Sequence, residues 1–329
     1  MHKVIPVLLI VLGIALPGCQ MVATPAPSPT PVVLQSIKLG VGYVPNVQFA
    51  PFYVAQAKGF FADQGLEVTL EHGFEHDFVA LVGQGERQFA VASGDQIILA
   101  RAQKLPVVYV AKWYQRFPVA VMTLAQSGIA TPKQLEGHSV GIPGTFGASY
   151  AGWKALVYAA GLDEKSIRLE SIGFTQAEAV TQGRVDAAVV YIANEPVQLR
   201  QAGWSVNVIE VSDYLNIVSN GLVTNEATIK ERPDLVRRMV QGFLQGLQYT
   251  LAHPDEAFAI ARRMVPEITD QNAPIQRAVL EASLALWRSD TPGLSDRKAW
   301  LDTLEAMRAT GLTQADLDVD AMFTNQFVQ

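Results

Sequence analysis

The sequence predicts an α/β protein built from two similar lobes, each a mostly parallel sheet covered by helices. Short β-rich runs alternate with helical patterns from residue 37 to residue 111, an order typical of parallel strands joined by crossover helices. After a further β-rich run at 118–124 the same alternation begins again and continues to residue 211. The repeated alternation therefore predicts two sheets, one in each lobe.

The strands and helices of the first lobe follow from residue type. Each predicted strand is a short apolar or β-branched run, and each predicted helix carries apolar residues at helical spacing. In chain order we predict strands at 37–43, 66–70, 89–92 and 107–111, with helices at 50–61, 78–83 and 96–103.

The second lobe repeats this order of elements. We predict strands at 118–124, 139–142, 168–172, 187–192 and 206–211, with helices at 148–160, 176–182 and 195–201. A similar local pattern in the two halves supports the prediction of two lobes. A helix, a Gln-Gly pair and a buried strand follow one another in VALVGQGERQFAVASGDQ and in AEAVTQGRVDAAVVYIANEP. In these two segments Gly85 and Gly183 occupy the place where a helix C-terminus favours a left-handed residue.

Beyond residue 220 the pattern changes to a strand followed by long amphipathic helices. One face of the first long helix carries apolar side chains at helical spacing, namely Leu235, Met239, Phe243 and Leu247. The segment LSDRKAWLDTLEAMRATGL predicts a further helix near the end of the chain.

The N-terminus predicts export and membrane attachment. Lys3 precedes an apolar run that ends in LPGC, which is typical of a lipoprotein signal peptide over residues 1–18. Cys19 is the only cysteine, so we expect it to carry a lipid anchor on the extracytoplasmic face of the cell membrane. Plain secretion is the alternative, because Pro17 replaces the usual small or hydroxyl residue. The Pro-rich composition within 19–35 predicts an extended tether.

Composition argues against several other classes of protein. Hydrophobic residues make up 49% of the 329 residues and charged residues 17%, which suits two globular domains after the tether. The formal net charge of −6 argues against a nucleic-acid partner. No second apolar run reaches about 18 residues, so we expect no membrane-spanning helix in the mature chain.

Polar and aromatic side chains collect directly after the predicted strands. In open α/β sheets, ligands bind outside the carboxyl ends of the strands, where loops and helix N-termini converge. Aromatic rings beside amides and hydroxyls suit a pocket for a flat molecule with polar edges. The candidate ligand-binding residues at these strand ends are Asn46, Gln48, Phe49, Ser93, Asp95, Trp113, Tyr114, Thr145, Tyr150, Tyr191, Asn194 and Glu195.

Four of these candidates also have a structural interpretation. Asn46 is suited to capping the helix that follows it. Trp113 and Tyr114 could serve only to pack the surface of a lobe. Glu195 precedes a proline in the first turn of a predicted helix, where the helix dipole favours an acid.

Two patterns for metal binding or catalysis are weaker. His72 and His76 are four residues apart beside acidic residues, a spacing that can bind a metal on a helix. Gly73 lies between them and a predicted strand ends just before, so we interpret the segment as a solvated loop and expect no metal. The sequence GASYA matches a nucleophile elbow only in part, because Ala151 replaces the second glycine.

The segment GYVPNVQFAPFYVAQAKGFFADQGLEVTL at 42–70 resembles a known family signature. It is similar to the opening of the thiamine-pyrimidine-precursor and sulfonate family of substrate-binding proteins of ABC importers. In that family a strand, a Pro-Asn turn and a helix ending in Lys-Gly-Phe-Phe or Lys-Gly-Tyr-Phe precede a further strand. The similarity continues through GIPG, GRVDAAVVY and NEP to about residue 240.

The resemblance implies a two-lobed fold of the periplasmic-binding-protein type (type II). Chain crossings at the hinge would lie near 121–126 and 213–222. Lobe 1 would then be discontinuous, and the implied limits are 36–122 with 222–329 for lobe 1 and 123–221 for lobe 2. Such a protein closes on a small molecule and delivers it to a membrane permease. We expect a monomer that needs no cofactor.

The resemblance also implies a ligand. In the pyrimidine binders of the family an acid after the VVY strand contacts the heterocycle, and Glu195 matches it, while Asn46 matches the asparagine of the Pro-Asn turn. The segments FPVAV and GTFGASYAGW are more similar to a riboflavin-binding branch of the family. We therefore expect riboflavin, with a hydroxymethyl- or formylaminopyrimidine as the alternative. Enzymes of pyrimidine synthesis share the fold but use a cysteine-rich segment that this chain lacks, so we expect no catalysis.

Overall fold

The computed structural model describes residues 1, 2, 5, 33–215 and 217–328. The predicted signal peptide and tether, including the predicted lipid-bearing Cys19, fall almost entirely outside these residues. All of the helices and strands described below belong to the compact unit Leu34–Gln329. Within the described part of the chain, no helix is both long enough and apolar enough to cross a membrane.

Ten strands in the described residues form two five-stranded sheets. They are β1 Gln35–Gly42, β2 Leu66–Gly73, β3 Phe89–Ala92, β4 Val107–Lys112, β5 Val119–Leu124, β6 Ser139–Ile142, β7 Arg168–Ser171, β8 Ala187–Tyr191, β9 Val206–Glu210 and β10 Gly221–Asn225. The first sheet has the strand order β2-β1-β3-β10-β4, and the second has the order β7-β6-β8-β5-β9. We call each sheet with its covering helices a lobe.

Each sheet has four strands in one direction and one reversed strand. In the first sheet β1 is parallel to β2 and β3, whereas β10 is antiparallel to β3 and β4. In the second sheet β6 is parallel to β7 and β8, whereas β5 is antiparallel to β8 and β9. The reversed strand is in each case the first one after the chain crosses from the other sheet. The predicted two-lobed α/β fold with mostly parallel sheets is confirmed.

Helices cover both faces of both sheets. They are α1 Ala50–Ala57, α2 Phe60–Asp63, α3 Glu75–Gly83, α4 Gly94–Ala102, α5 Gly147–Ala159, α6 Gln176–Thr181, α7 Glu195–Gln201, α8 Glu226–Glu231, α9 Pro233–Ala252, α10 Pro254–Met264, α11 Ala273–Trp287 and α12 Arg297–Ala309. Successive side chains of a strand point to opposite faces of the sheet, so alternate residues of β3 pack into different hydrophobic cores. Phe89 and Val91 pack with α1 and α9 to α11, whereas Ala90 and Ala92 pack with α3, α4 and α12.

Local sequence signals account for most element ends. The helix predicted at 50–61 is divided into α1 and α2, because Gly59 adopts a left-handed φ of 79° between them. Gly85 and Gly183 also have positive φ angles after α3 and α6, as predicted. The apolar face predicted for the first long helix is buried in α9, at Leu235, Met239, Phe243 and Leu247.

Two segments connect the sheets, one between β4 and β5 and one between β9 and β10. They are bonded to each other, since the amides of Trp113 and Tyr114 both donate to the carbonyl of Asn220 at 3.1 Å. The first crossing therefore precedes β5, whereas it was predicted near 121–126, and the predicted lobe limit after residue 122 falls inside that strand. The assignment of 36–122 with 222–329 and of 123–221 to two moving bodies stays a prediction.

Candidate functional site

A cleft lies between the two sheets, at the carboxyl ends of their parallel strands. This is the edge at which an α/β sheet collects loops and helix N-termini. The first lobe and the connecting segments line it with Tyr43, Gln48, Phe49, Phe74, Glu75, His76, Trp113, Tyr114 and Asn220. The second lobe lines it with Phe146, Ser149, Phe174, Gln176, Tyr191, Asn194 and Glu195.

Aromatic side chains form one wall of the cleft. The rings of Trp113 and Tyr114 have centroids 4.8 Å apart, and Tyr114 meets Tyr191 of the second lobe edge-on at 6.4 Å. Phe49 extends this wall, 6.1 Å from Trp113. Trp113 and Tyr114 are each only 2% exposed and belong to the core of the first lobe. The same rings therefore pack the lobe and present an apolar surface to the cleft.

A second set of rings spans the cleft, and we call it the aromatic bridge. It comprises Tyr43, Phe74 and His76 from the first lobe and Phe146 and Phe174 from the second. Across the cleft, Tyr43 lies 4.8 Å from Phe174, and Phe146 lies 5.2 Å from Phe74 and 4.5 Å from His76. Phe74 and Phe146 stay 41% and 39% exposed, so each finds part of its apolar contact on the opposite lobe.

Glu75 supplies a half-buried carboxyl from the first lobe. It begins α3, where its Oε1 accepts hydrogen bonds from the amide and hydroxyl of Ser93 at 2.6 and 2.7 Å. Asn220 Nδ2 donates to the other carboxyl oxygen at 3.4 Å. Burial, and then the nearby carboxyl of Asp95, raise the pKa of Glu75 well above its usual range.

Glu195 supplies a matching carboxyl from the second lobe. It begins α7, and its carboxyl accepts hydrogen bonds from the Tyr191 amide and from Asn194 Nδ2, both at 3.1 Å. Burial raises the pKa of Glu195 to about 7. Asn194 Nδ2 also donates across the cleft to the hydroxyl of Tyr43 at 3.2 Å. Tyr43 holds a positive φ of 79°, an uncommon conformation for a residue other than glycine.

The cleft has an acidic and hydrogen-bonding character. No lysine or arginine is among the described residues that line it. Four buried polar atoms on its wall have no hydrogen-bond partner among the described protein groups: Gln48 Nε2, His76 Nδ1, Trp113 Nε1 and Gln176 Oε1. Each such atom costs about 1 to 3 kcal/mol when left unpaired. The wall can therefore accept a molecule that has both acceptors and donors on its edge.

The twelve predicted ligand-binding residues divide into three groups in the structure. Those that line the cleft are Gln48, Phe49, Trp113, Tyr114, Tyr191, Asn194 and Glu195. Asp95, Thr145 and Tyr150 line a neighbouring cavity instead. The remaining two lie behind the cleft wall, where Ser93 holds Glu75, and Asn46 Oδ1 accepts the Gln48 amide at 2.9 Å as the N-cap of a 3₁₀ turn. Contact of these residues with a ligand stays a prediction.

The interpretation of the two histidines as a solvated loop is wrong. β2 continues through His72 to Gly73, and α3 begins at Glu75, so a strand and a helix hold the pair. His72 packs edge-on against Phe49 at 5.2 Å, and His76 lies on the cleft wall. Among the described residues there is no group of three or more His, Cys, Asp or Glu side chains able to hold a metal ion.

Sequence reasoning missed Tyr43, Phe74, Glu75, His76 and Asn220 on the first-lobe side of the cleft, and three of these omissions trace to strand length or direction. Phe74 and Glu75 follow β2, which was predicted to end at residue 70, and no candidate residue was predicted after that strand. Asn220 precedes the reversed strand β10, whose amino end lies at the edge where its neighbours have their carboxyl ends. The length of β2 and the direction of β10 are the signals that would have found them.

A family model described as NMT1/THI5 like matches residues 46–257. The chain belongs to the NMT1/THI5-like family. The solved periplasmic aliphatic sulphonate binding protein SsuA from Escherichia coli has a similar fold, with a TM-score of 0.69. That similarity covers 87% of this chain and 91% of the other at 14% sequence identity, so it concerns the fold alone.

Three relatives in sequence carry names that describe binding or synthesis. The riboflavin-binding protein RibY of Chloroflexus aurantiacus is 42% identical, over 95% of this chain and 91% of the relative. The formylaminopyrimidine-binding protein of Halalkalibacterium halodurans is 29% identical, over 84% and 86%. The 4-amino-5-hydroxymethyl-2-methylpyrimidine phosphate synthase of Aspergillus parasiticus is 25% identical, over 85% and 83%. The more similar two of the three are named as small-molecule-binding proteins.

Proposed function

We propose that the protein is the substrate-binding component of an ABC importer and that it captures riboflavin in the cleft between its lobes. The observation that carries the proposal is the cleft wall, where tilted aromatic rings adjoin unpartnered polar atoms. An isoalloxazine ring is flat and apolar on its faces, with carbonyl acceptors and an N–H donor on its edge. The 42% identity to a protein named as riboflavin-binding supports the same ligand.

The polar groups of the wall suit the edge of this ring system. Gln48 Nε2 and Trp113 Nε1 are free to donate to its carbonyl oxygens. Glu195 lines the cleft and is the acceptor for the ring N–H, because a carboxyl group has an acceptor oxygen whether or not it holds a proton. The rings of Tyr114 and Tyr191 supply apolar contact to its faces.

Charge argues against an anionic ligand, although a solved protein of similar fold is named for binding sulphonates. Glu195 is buried in the cleft and Glu75 is half-buried there, and no lysine or arginine is among its described lining residues. Bringing a sulfonate beside these carboxyls without a cation would cost several kcal/mol. A neutral ligand with N–H or O–H donors is therefore favoured.

The proposed protein binds its ligand without chemical change and delivers it to a membrane permease. The resemblance noted above implies that enzymes of pyrimidine synthesis use a cysteine-rich segment, and Cys19 is the only cysteine here. We propose that Cys19 carries a lipid that holds a monomer on the extracytoplasmic face of the cell membrane. Cell fractionation of a Cys19→Ser variant tests this location, and identical distributions of variant and wild type would contradict it.

A thiamine-pyrimidine precursor is the second candidate ligand. The formylaminopyrimidine-binding relative and the position of Glu195 after the VVY strand favour it. The same carboxyl would then accept a hydrogen bond from an amino group of the pyrimidine. This ligand is smaller than riboflavin and would use less of the aromatic wall.

Competitive titration separates the two candidates. Riboflavin is titrated into the purified protein by calorimetry, first alone and then with an excess of hydroxymethylpyrimidine or formylaminopyrimidine. The proposal predicts saturable riboflavin binding with quenched flavin fluorescence, and little competition from either pyrimidine. Saturable binding of a pyrimidine with no heat from riboflavin would replace the first candidate by the second.

A further inference from the structure

A second cavity of about 320 Å³ adjoins the ligand cleft. It is lined by residues of α3 and α4 from the first lobe and by the start of α5 from the second. The two spaces meet at His76 and Phe146, which line both and whose ring centroids are 4.5 Å apart. Since a water molecule takes about 30 Å³ of liquid, the space suits a chain of several small groups.

The polar side chains of this cavity come from both lobes. The first lobe contributes Asp95, Gln96 and Gln103, and the second contributes Thr145 and Tyr150. Hydroxyl and amide groups of this kind donate to and accept from hydroxyls. Because neither lobe provides the whole set, a molecule in this cavity would hold the two lobes together.

Asp95 is the strongest sign of a ligand in this cavity. It is 0% exposed, and one carboxyl oxygen accepts a hydrogen bond from Gln96 Nε2 at 2.6 Å. The other oxygen, Oδ1, has no partner among the described protein groups. A buried acceptor without a donor is costly, and a carboxylate is a particularly strong acceptor. Asp95 thus has an unused bonding position for a hydroxyl donor.

We propose that this cavity is a subsite for a neutral, hydroxylated tail of the ligand. The inference rests on the proposed function, because the ribityl chain is the part of riboflavin that a pyrimidine precursor lacks. The ring occupies the aromatic cleft, and the tail enters the cavity at His76 and Phe146, whose rings are in contact and would separate to admit it. One tail hydroxyl donates to Asp95 Oδ1, and Thr145 and Tyr150 bond to others from the opposite lobe.

The subsite also discriminates between flavins by charge. No lysine or arginine is among the described residues that line the second cavity. Flavin mononucleotide ends its tail in a phosphate, which would approach the carboxyl of Asp95 with no cation to compensate. The subsite therefore selects the free vitamin over its phosphorylated form.

The test compares riboflavin with lumiflavin, which has the same ring system and a methyl group in place of the tail. Affinities are measured by flavin fluorescence for the full-length protein and for Asp95→Ala and Thr145→Ala, with the exposed Asp290→Ala as the matched control. We expect both cavity variants to bind riboflavin about tenfold more weakly or worse. Their lumiflavin affinity should stay within about twofold of wild type, and Asp290→Ala should change neither. Thr145 lies at the surface, so its variant carries the test if Asp95→Ala does not fold.

Three results would overturn the subsite. Equal losses of affinity for riboflavin and lumiflavin would show that Asp95 and Thr145 contact the ring or stabilise the fold and do not bind the tail. Unchanged riboflavin affinity in both variants would remove the tail contact. Wild-type binding of flavin mononucleotide as tightly as riboflavin would contradict the neutral tail site. A wild-type protein that binds neither riboflavin nor lumiflavin would instead overturn the proposed function, and the subsite with it.

Discussion

The two lobes offer the cleft the same kind of group in different settings. Each lobe places one glutamate in the first turn of the helix that follows a parallel strand, the half-buried Glu75 after β2 and the buried Glu195 after β8. Glu75 is held mainly within its own lobe, by two hydrogen bonds from Ser93. Glu195 shares Asn194 with Tyr43 of the opposite lobe. Glu75 therefore has its shortest hydrogen bonds within its own lobe, whereas Glu195 shares a hydrogen-bond donor with a residue of the opposite lobe.

The aromatic residues differ between the lobes in a similar way. Trp113 and Tyr114 are part of the large core of the first lobe, where Trp113 also packs 5.5 Å from Trp287. In the second lobe Tyr191 is a partly buried residue packed against the smaller core, and Phe146 is 39% exposed. The cleft rings of the first lobe are thus held by its own core, whereas Phe146 of the second lobe makes its ring contacts with Phe74 and His76 across the cleft.

The largest effect is expected from Trp113→Ala, which removes a ring that serves the core and the cleft together. Burial at 2% exposure predicts a loss of about 3 to 5 kcal/mol in the free energy of unfolding, together with weaker riboflavin binding. Tyr191→Ala should weaken riboflavin binding by about 1 kcal/mol or more, and it should lower the free energy of unfolding by less than Trp113→Ala does. Chemical denaturation and flavin titration on both variants check this. Equal stability losses would remove the distinction between the two walls.

The two acids should differ in their effect on affinity. Glu195→Gln removes the proposed acceptor for the ring N–H and should weaken riboflavin binding about ten- to a hundredfold. Glu75→Gln should have a smaller effect, because the proposed contact with the ring N–H is made by Glu195 and not by Glu75. Calorimetric titration of both variants measures the difference. A larger loss in Glu75→Gln would assign ring recognition to the first lobe.

The raised pKa of Glu195 predicts that stability depends on pH. Burial makes the folded protein hold this proton up to about pH 7, whereas the unfolded chain releases it near the ordinary value of 4.5. The folded state thus binds more protons in this window, so the contribution of Glu195 to the free energy of unfolding falls as pH rises from 4.5 to 7. Denaturant melts at several pH values should show a weaker fall in Glu195→Gln. An unchanged slope would contradict this assignment.

The smallest effect is expected from Asn46→Ala. Its Oδ1 caps the 3₁₀ turn Val47–Phe49, so removal should cost about 1 kcal/mol in the free energy of unfolding. Riboflavin affinity measured below the melting range should stay the same, because Asn46 is not among the lining residues. A tenfold loss of affinity with unchanged stability would instead support the contact implied by the family resemblance.

How much of the cleft could be predicted from the sequence depended on how accurately the ends of the strands could be predicted. β3 and β6 have the predicted limits, since their apolar runs are short and bounded by polar or glycine residues. Glu75 was missed because β2 is longer than its apolar run, its last residues being the half-buried Glu71, His72 and Gly73. Asn220 was missed because the pattern of apolar residues does not indicate in which direction a strand runs within its sheet. β10 runs opposite to its neighbours β3 and β4.

The second cavity shows a further limit of sequence reasoning. Asp95, Thr145 and Tyr150 were correctly expected after strands β3 and β6, at the edge that faces the other lobe. Periodicity places such residues at an edge of a sheet but gives no distance across to the partner sheet. Whether they line the aromatic cleft or the adjoining cavity depends on how α4 and α5 meet, which is a long-range packing outcome.

The most direct test of riboflavin capture is to identify what the protein retains. The full-length protein is incubated with equal amounts of riboflavin, hydroxymethylpyrimidine and formylaminopyrimidine, passed through a gel-filtration column, and the released ligand is identified by absorbance and mass. We predict a yellow protein fraction that releases riboflavin of unchanged mass, about one molecule per chain. A colourless fraction that releases a pyrimidine, or a flavin of altered mass, would contradict riboflavin binding without chemistry in the cleft between the lobes.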